Sequence, residues 1–333
     1  MPVSEDFARL TDPLRPELLA HCYRMLGSVQ DAEDQVQETL ARAWRSYGDF
    51  EGRASLRTWL HRIATNTCLR ALENNSRRAL PSGLGAPSEY PEGPLPDVGR
   101  EVRWLQPMPD GLVSPWSGDP AAIVESRQNI RLSLIAALQY LPGRQRAVLI
   151  LRDVLGWRAA EVADLLGTTT TAVNGMLARA RTRLAEVAPD QEHIHEPASP
   201  GDRALVDEYA TAFANSDVTT LVRLMREDAV FEMPPRTVWF AGRATIGRFL
   251  RSWVLTEPGR FRMIAVAANG QPAFGCYMRA SDGSYPAYGI QVLTLSGPQV
   301  ARVTTFSDPG LLATFGLPTA LSAGALAGGA LNR

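Results

Sequence analysis

The sequence predicts a multidomain protein in which two all-α modules precede an α+β domain. Length is the first reason: 333 residues exceed what a single hydrophobic core usually organises. Periodicity is the second, because apolar residues recur every three or four positions through most of residues 1–187 and then give way to alternating helical and strand-like stretches after residue 203. Composition is the third. With 45% hydrophobic and 21% charged residues the chain is ordinary globular material, which excludes a disordered or collagen-like polymer. Formal charge is −1, every basic residue being arginine.

Residues 1–80 form the first module. The stretch 1–52 carries ten acids against five arginines, and 53–78 carries six arginines with Glu73 as its one acid. In SVQDAEDQVQETLARAWRSY, Ser28 and Asp31 suit a capping box, and Ala32, Val36, Leu40, Ala43, Trp44 and Tyr47 form a buried stripe. Glu33, Asp34, Gln37 and Glu38 are left on or beside the outer face, which alone reads as a solvated surface. The next helix, SLRTWLHRIATNTCLRALENNSRR, buries Leu56, Leu60, Ile63, Ala64, Leu69 and Leu72. Its other positions offer Arg57, Trp59, Arg62, Asn66 and Arg70, a mixture of guanidinium, aromatic and amide that suits phosphate and an exposed base, or equally a core tryptophan with solubilising arginines.

Residues 81–122 read as a linker, since 81–120 holds nine prolines and six glycines without an apolar period. The second module is 123–187. In RAAEVADLLGTTTTAVNGMLARARTRL the spacing of Ala163, Gly167 and Val173, with Val162, Leu166 and Met176 inside, is helix-turn-helix spacing: a small residue for close approach, a glycine to open the turn, and an anchor for the second helix. Thr170, Thr171, Asn174, Gly175 and Ala178 then face base edges, with Arg158, Arg179 and Arg181 near phosphates.

In this order the motifs resemble the extracytoplasmic-function (group IV) branch of the sigma-70 family of RNA polymerase sigma factors. DAEDQVQETLARAW is similar to the region 2.2 helix, SLRTWLHRIATNTCLRAL to regions 2.3–2.4, LPGRQRAVLILRDVLGW to region 4.1, and the helix-turn-helix to region 4.2. The resemblance implies that core RNA polymerase, through its beta-prime clamp and beta flap, and promoter DNA are the partners. It implies polymerase contacts for Asp31, Glu33, Asp34, Gln37 and Glu38. Contacts with the −10 element fall to Arg53, Ser55, Trp59, Arg62 and Asn66, and contacts with the −35 element to the helix-turn-helix residues. AVNGMLARAR departs from the basic start usual in the family's recognition helix, so its base preference is its own. No nucleoside triphosphate motif is present, so melting is expected to be driven by binding.

After a polar linker at 188–202, residues 203–318 alternate helix, helix, strand, strand, helix and four strands. This unit, DAVFEMPPRTVWFAGRATIGRFL above all, resembles the SnoaL-like, nuclear-transport-factor-2-like domains appended to some actinobacterial sigma factors; WLQPMPD in the linker is similar to a motif of the same subgroup. A cone-shaped domain is implied; Glu232 and Asp282 read as acids of its cavity or as solvated strand-end carboxylates, and Met233, Trp239, Trp253 and Tyr288 as either core or the wall of an apolar pocket that could take a small-molecule ligand. A regulator of the sigma modules is the expected role, an enzyme or ligand sensor carried by DNA-binding modules the alternative, and a one-component repressor a third reading that leaves residues 28–78 unexplained. The domain holds no histidine to move a proton, and fold alone licenses no reaction. Cys22, Cys68 and Cys276 are too scattered for a disulfide framework, so a cytoplasmic setting is expected. His193 and His195 suggest a polar linker more than a metal tract; no cofactor, metal or membrane attachment is expected. Residues 319–333 read as a flexible tail.

Overall fold

The computed structural model describes residues 2–52, 54–73, 77–96, 98, 101–113, 130–187 and 199–322. They fall into two compact units, Met1–Ala79 with Arg103–Glu192, and Leu80–Val102 with His193–Arg333.

The first unit is helical. Helix α1 (Pro2–Thr11) leads through a short 3-10 turn into α2 (Arg15–Leu26), which ends because Gly27 adopts a left-handed φ of 70° and returns its N–H to Tyr23 O. Helix α3 (Val29–Arg45) starts at Ser28, whose hydroxyl accepts the Asp31 N–H at 3.1 Å. Only half of the expected capping box forms, since the Asp31 carboxylate turns to arginines instead. Helix α4 (Leu56–Glu73) stops earlier than the periodicity suggests: Arg77 and Arg78 are not helical. Leu18, Met25, Val29, Ala32, Val36, Leu60 and Ala64 fill the space between α2, α3 and α4. Trp44, expected in that stripe, is 43% exposed.

Four helices follow residue 130: α5 (Leu132–Leu138), α6 (Gly143–Leu149) with a wide π turn over Ile150–Val154, α7 (Ala159–Leu166) and α8 (Thr170–Val187). Gly167 closes α7 with a φ of 59°, and Val162, Ala163, Leu166 and Val173 are buried around the turn. This is the helix-turn-helix that the spacing predicts. The WLQPMPD segment belongs to the same unit: Ala79 and Trp104 form a parallel bridge, Leu105 and Met108 are fully buried, and the Gln106 N–H reaches Gly27 O at 3.0 Å.

In the second unit, α9 (Pro200–Ala214) begins with a capping box between Ser199 and Asp202, and α10 (Val218–Leu224) is capped by Asp217. The helical reading of VTTLVRLMRED ends at Leu224, because β1 (Met225–Glu232) starts there and pairs with β6 from Met225 onward. The remaining elements are β2 (Trp239–Ala241), α11 (Arg243–Phe249) with a π turn to Val254, β3 (Phe261–Ala268), β4 (Gln271–Met278), β5 (Tyr285–Ser296), β6 (Gln299–Phe306), α12 (Leu311–Thr314) and β7 (Ala320–Leu321). The sheet runs β2-β1-β6-β5-β4-β3, antiparallel except for β1 beside β6. One face packs Tyr209, Phe213, Phe231, Phe249 and Phe274 into a single apolar cluster with the helices. Within the stretch read as a tail, Ala320 and Leu321 pair with β5; residues 323–333, like the His193–His195 tract, lie outside the described residues.

Candidate functional site

The acidic face of α3 is partly self-satisfied. Asp31 accepts Arg78 at 2.6 Å and Arg103 at 2.8 Å, Glu33 pairs with Arg15 at 2.7 Å, and Glu38 pairs with Arg42 at 2.5 Å. The Arg42 hydrogen bond holds the Glu38 carboxyl below its usual range. Asp34 and Gln37 are exposed and hold no hydrogen bond or ion pair among the described residues. A partner approaching this face therefore meets two open polar side chains flanked by paired acids.

Around the start of α4, Ser55 is occupied as a cap, accepting the Thr58 N–H at 3.1 Å and meeting its hydroxyl at 2.9 Å. Trp59 is half-buried, tilted against Phe50 with centroids 4.8 Å apart. Phe50 continues to Tyr47, Tyr47 to Phe7 and Phe7 to Trp44, so the aromatic group extends well beyond the single tryptophan that the sequence draws attention to. Asn66 is exposed, and Arg53 lies outside the described residues. Arg62 is held by Asp164 of α7 at 2.6 Å, which ties the face of α4 to the helix-turn-helix within the same unit.

On α8 the buried set is Val173, Leu177 and Ala180, leaving Thr170, Thr171, Asn174, Ala178, Arg179 and Arg181 exposed and Gly175 half-buried. This is the stripe a groove-reading helix presents. Arg181 makes a two-pronged bond to Asp153 at 3.0 and 2.7 Å, while the Arg179 guanidinium passes over Gly175. Arg158 is exposed, its backbone N–H donated to Glu161 at 2.7 Å.

Sequence reasoning missed Arg146, which joins the two helical modules. Its guanidinium is buried and donates to Met25 O at the end of α2, to Gln139 Oε1 at 2.8 Å, to Gln139 O at 3.3 Å and to Leu141 O at 3.1 Å. Burial pushes it down to about 10. Beside it, Gly143 sits against Leu69 and Leu72 of α4, and Arg77 covers the Tyr140 ring at 4.2 Å. One arginine in GRQRAVL gives no signal of this kind in sequence.

The proposed pocket residues of the C-terminal unit are not gathered into one place. Met233 is buried in the apolar cluster and Tyr288 packs on it, edge-on to Phe261. Glu232 is fully buried yet outside that cluster, because β1 alternates and Ala229, Phe231 and Met233 take the inner positions. It accepts Arg302 at 2.8 Å, Thr304 Oγ1 at 3.1 Å and the Ser82 N–H at 3.1 Å. Trp239 is half-buried and donates its indole N–H to Gly85 O at 2.9 Å. Trp253 is exposed, and Asp282 sits on an exposed turn where Ser284 hydrogen bonds lower its carboxyl. Among the described residues no cluster of His, Cys, Asp and Glu could hold a metal ion, and no helix is long and apolar enough to cross a membrane.

Comparison with known proteins gives the family. Residues 10–78 match the sigma-70 region 2 family, 131–184 the sigma-70 region 4 family, and 206–303 the SnoaL-like domain family. The ECF RNA polymerase sigma factor SigG of Mycobacterium tuberculosis is 50% identical over 318 residues, spanning 95% of this chain and 85% of SigG. The chain belongs to the ECF sigma factors of the sigma-70 family. The ECF sigma factor SigJ of the same organism is 29% identical over 314 residues, covering 90% of each chain. A crystal structure of SigJ shares the fold at a TM-score of 0.60 and 23% identity, covering 95% of this chain and 99% of that one.

Proposed function

We propose that this chain is a non-catalytic specificity subunit of RNA polymerase. Through α3 it binds the core enzyme, through the α4 surface it opens and reads a −10 element, and through α8 it reads a −35 element. One observation carries the reading: the polar stripe of α8 and the aromatic–amide surface of α4 occur in one chain, in family order, each backed by a buried apolar set. Each surface alone is small, and holding both on one polymerase raises the effective concentration of the second once the first has bound. Action with polymerase places the protein in the cytoplasm.

The arrangement of the helical unit is a resting one. Centres of −10 and −35 elements lie 25 base pairs apart, roughly 85 Å of duplex at 34–36 Å per turn. An Arg62–Asp164 ion pair of 2.6 Å cannot persist across that span, so α4 and α7 part when both elements are read. The fused SnoaL-like domain controls that step. Run-off transcription with purified core polymerase and a genomic promoter library tests the function: initiation that depends on this chain is expected, and loss on Trp59→Ala or Asn174→Ala. No initiation from any promoter, with polymerase not captured, would refute it.

A further inference from the structure

Residues 80–96, LPSGLGAPSEYPEGPLP, join the two DNA-reading modules in sequence yet belong to the C-terminal unit. Their attachment there runs mainly through backbone atoms. The Ser82 N–H donates to Glu232 at 3.1 Å, Gly85 O accepts the Trp239 indole N–H at 2.9 Å, the Ser88 N–H donates to Trp239 O at 2.8 Å, and Pro96 O accepts Arg236 at 2.7 Å. Arg302 adds a bond to the Ser82 hydroxyl at 3.1 Å. Glu232 and Trp239 are cross-strand partners on β1 and β2, and β2 ends the sheet, so its outer edge is free to accept an extended chain. Side chains add anchors: Leu80, Pro81 and Pro91 are buried, Leu95 packs against the apolar cluster and Glu92 pairs with Arg248 at 3.5 Å, while Leu84, Pro87, Tyr90 and Pro94 are exposed.

Recognition through main-chain groups at a sheet edge, with occasional apolar anchors, is how domains bind extended peptides. The docked segment is bent, with a 3-10 turn over Pro81–Gly83 and a turn in which the Gly93 N–H returns to Tyr90 O, and its prolines fix φ and so lower the entropy lost on docking. We propose that the face of β6, β1 and β2 carrying Arg302, Glu232 and Trp239, with Arg236 from the β1–β2 loop, is a peptide-binding site for proline- and glycine-rich chain, whose resident ligand is residues 80–96. The segment docks reversibly. While docked, it withholds its length from the connection between the modules that read DNA.

The test uses the full-length chain with residues 81–96 replaced by a Gly-Ser stretch of equal length, and a fluorescent synthetic peptide of residues 80–96 added in trans. Saturable binding is expected, at least tenfold weaker with Glu232→Gln or with the wild-type chain, whose site is already occupied. No binding to a replaced chain that keeps its native circular dichroism, or binding indifferent to Glu232→Gln, overturns the proposal. Should the replaced chain not fold, hydrogen exchange on the intact chain decides. Glu232→Gln is expected to speed exchange of the Ser82 and Ser88 amides at least tenfold, and unchanged rates for both would show that the segment is a fixed part of the fold.

Discussion

Arg146 donates to carbonyls of both α2 and the α5–α6 turn from a buried position, so its removal leaves several acceptors dry. Arg146→Ala is expected to lower the stability of the helical unit by about 3 kcal/mol, measured by urea unfolding followed by helical circular dichroism. A second prediction concerns His21 and His61, whose rings meet edge-to-face at 5.3 Å in the core between α2 and α4. Burial lowers both; for His61, Glu17 and the hydrogen bond to Arg57 O pull the other way, while the charges of Arg57 and Arg24 add to the lowering. Below the ordinary value near 6.5 the unfolded chain therefore binds protons that the folded chain refuses, and stability falls as pH drops. The urea midpoint of this unit is expected to decline between pH 7.5 and 5.5, and His21→Asn to flatten the decline; a midpoint that rises on acidification contradicts the assignment.

Among the elements, the helix-turn-helix was the most legible, because Gly167 must take a left-handed conformation and the small and apolar residues around it have fixed spacing. The C-terminal strands were legible from alternation. The end of α10 was not, since MRED continues a helical pattern and yields only to the pairing of β1 with β6, a partner some 75 residues away in sequence. Gly289 on β5 gave no signal either, yet a Cβ there would lie 2.0 Å from Phe306 O. Gly289→Ala is expected to cost roughly 3 kcal/mol in the C-terminal unit, read as a lower thermal midpoint, because a sheet cannot shift its backbone to make room. The ion pair linking α4 to α7 is a milder constraint, with Arg62 and Asp164 both partly exposed. Asp164→Ala is expected to free Arg62 at a gain of under about 1 kcal/mol, a rise in promoter-dependent transcription of no more than about fivefold at unchanged polymerase affinity.

For the whole molecule, family, domain order and the position of the DNA-reading surfaces could be read from sequence because each rests on local periodicity. How surfaces are occupied could not. Asp31 turning to Arg78 and Arg103, Arg62 turning to Asp164, and Glu232 facing away from the apolar interior all depend on partners from 47 to 150 residues distant. The same holds for residues 80–96, whose composition says spacer while their bonds tie them to the C-terminal unit. Asp31 and Arg62, read as polymerase and −10 contacts, are thus engaged internally, as are Glu33, Glu38 and Arg181, which is what the proposed resting arrangement requires. The most direct test is single-molecule energy transfer between dyes on Arg70→Cys of α4 and Glu161→Cys of α7, both exposed, in the free protein and on polymerase with promoter DNA. High transfer is expected in the free protein, falling to a separation of several tens of ångströms in the promoter complex. Transfer that stays high while polymerase initiates at the promoter would contradict the account.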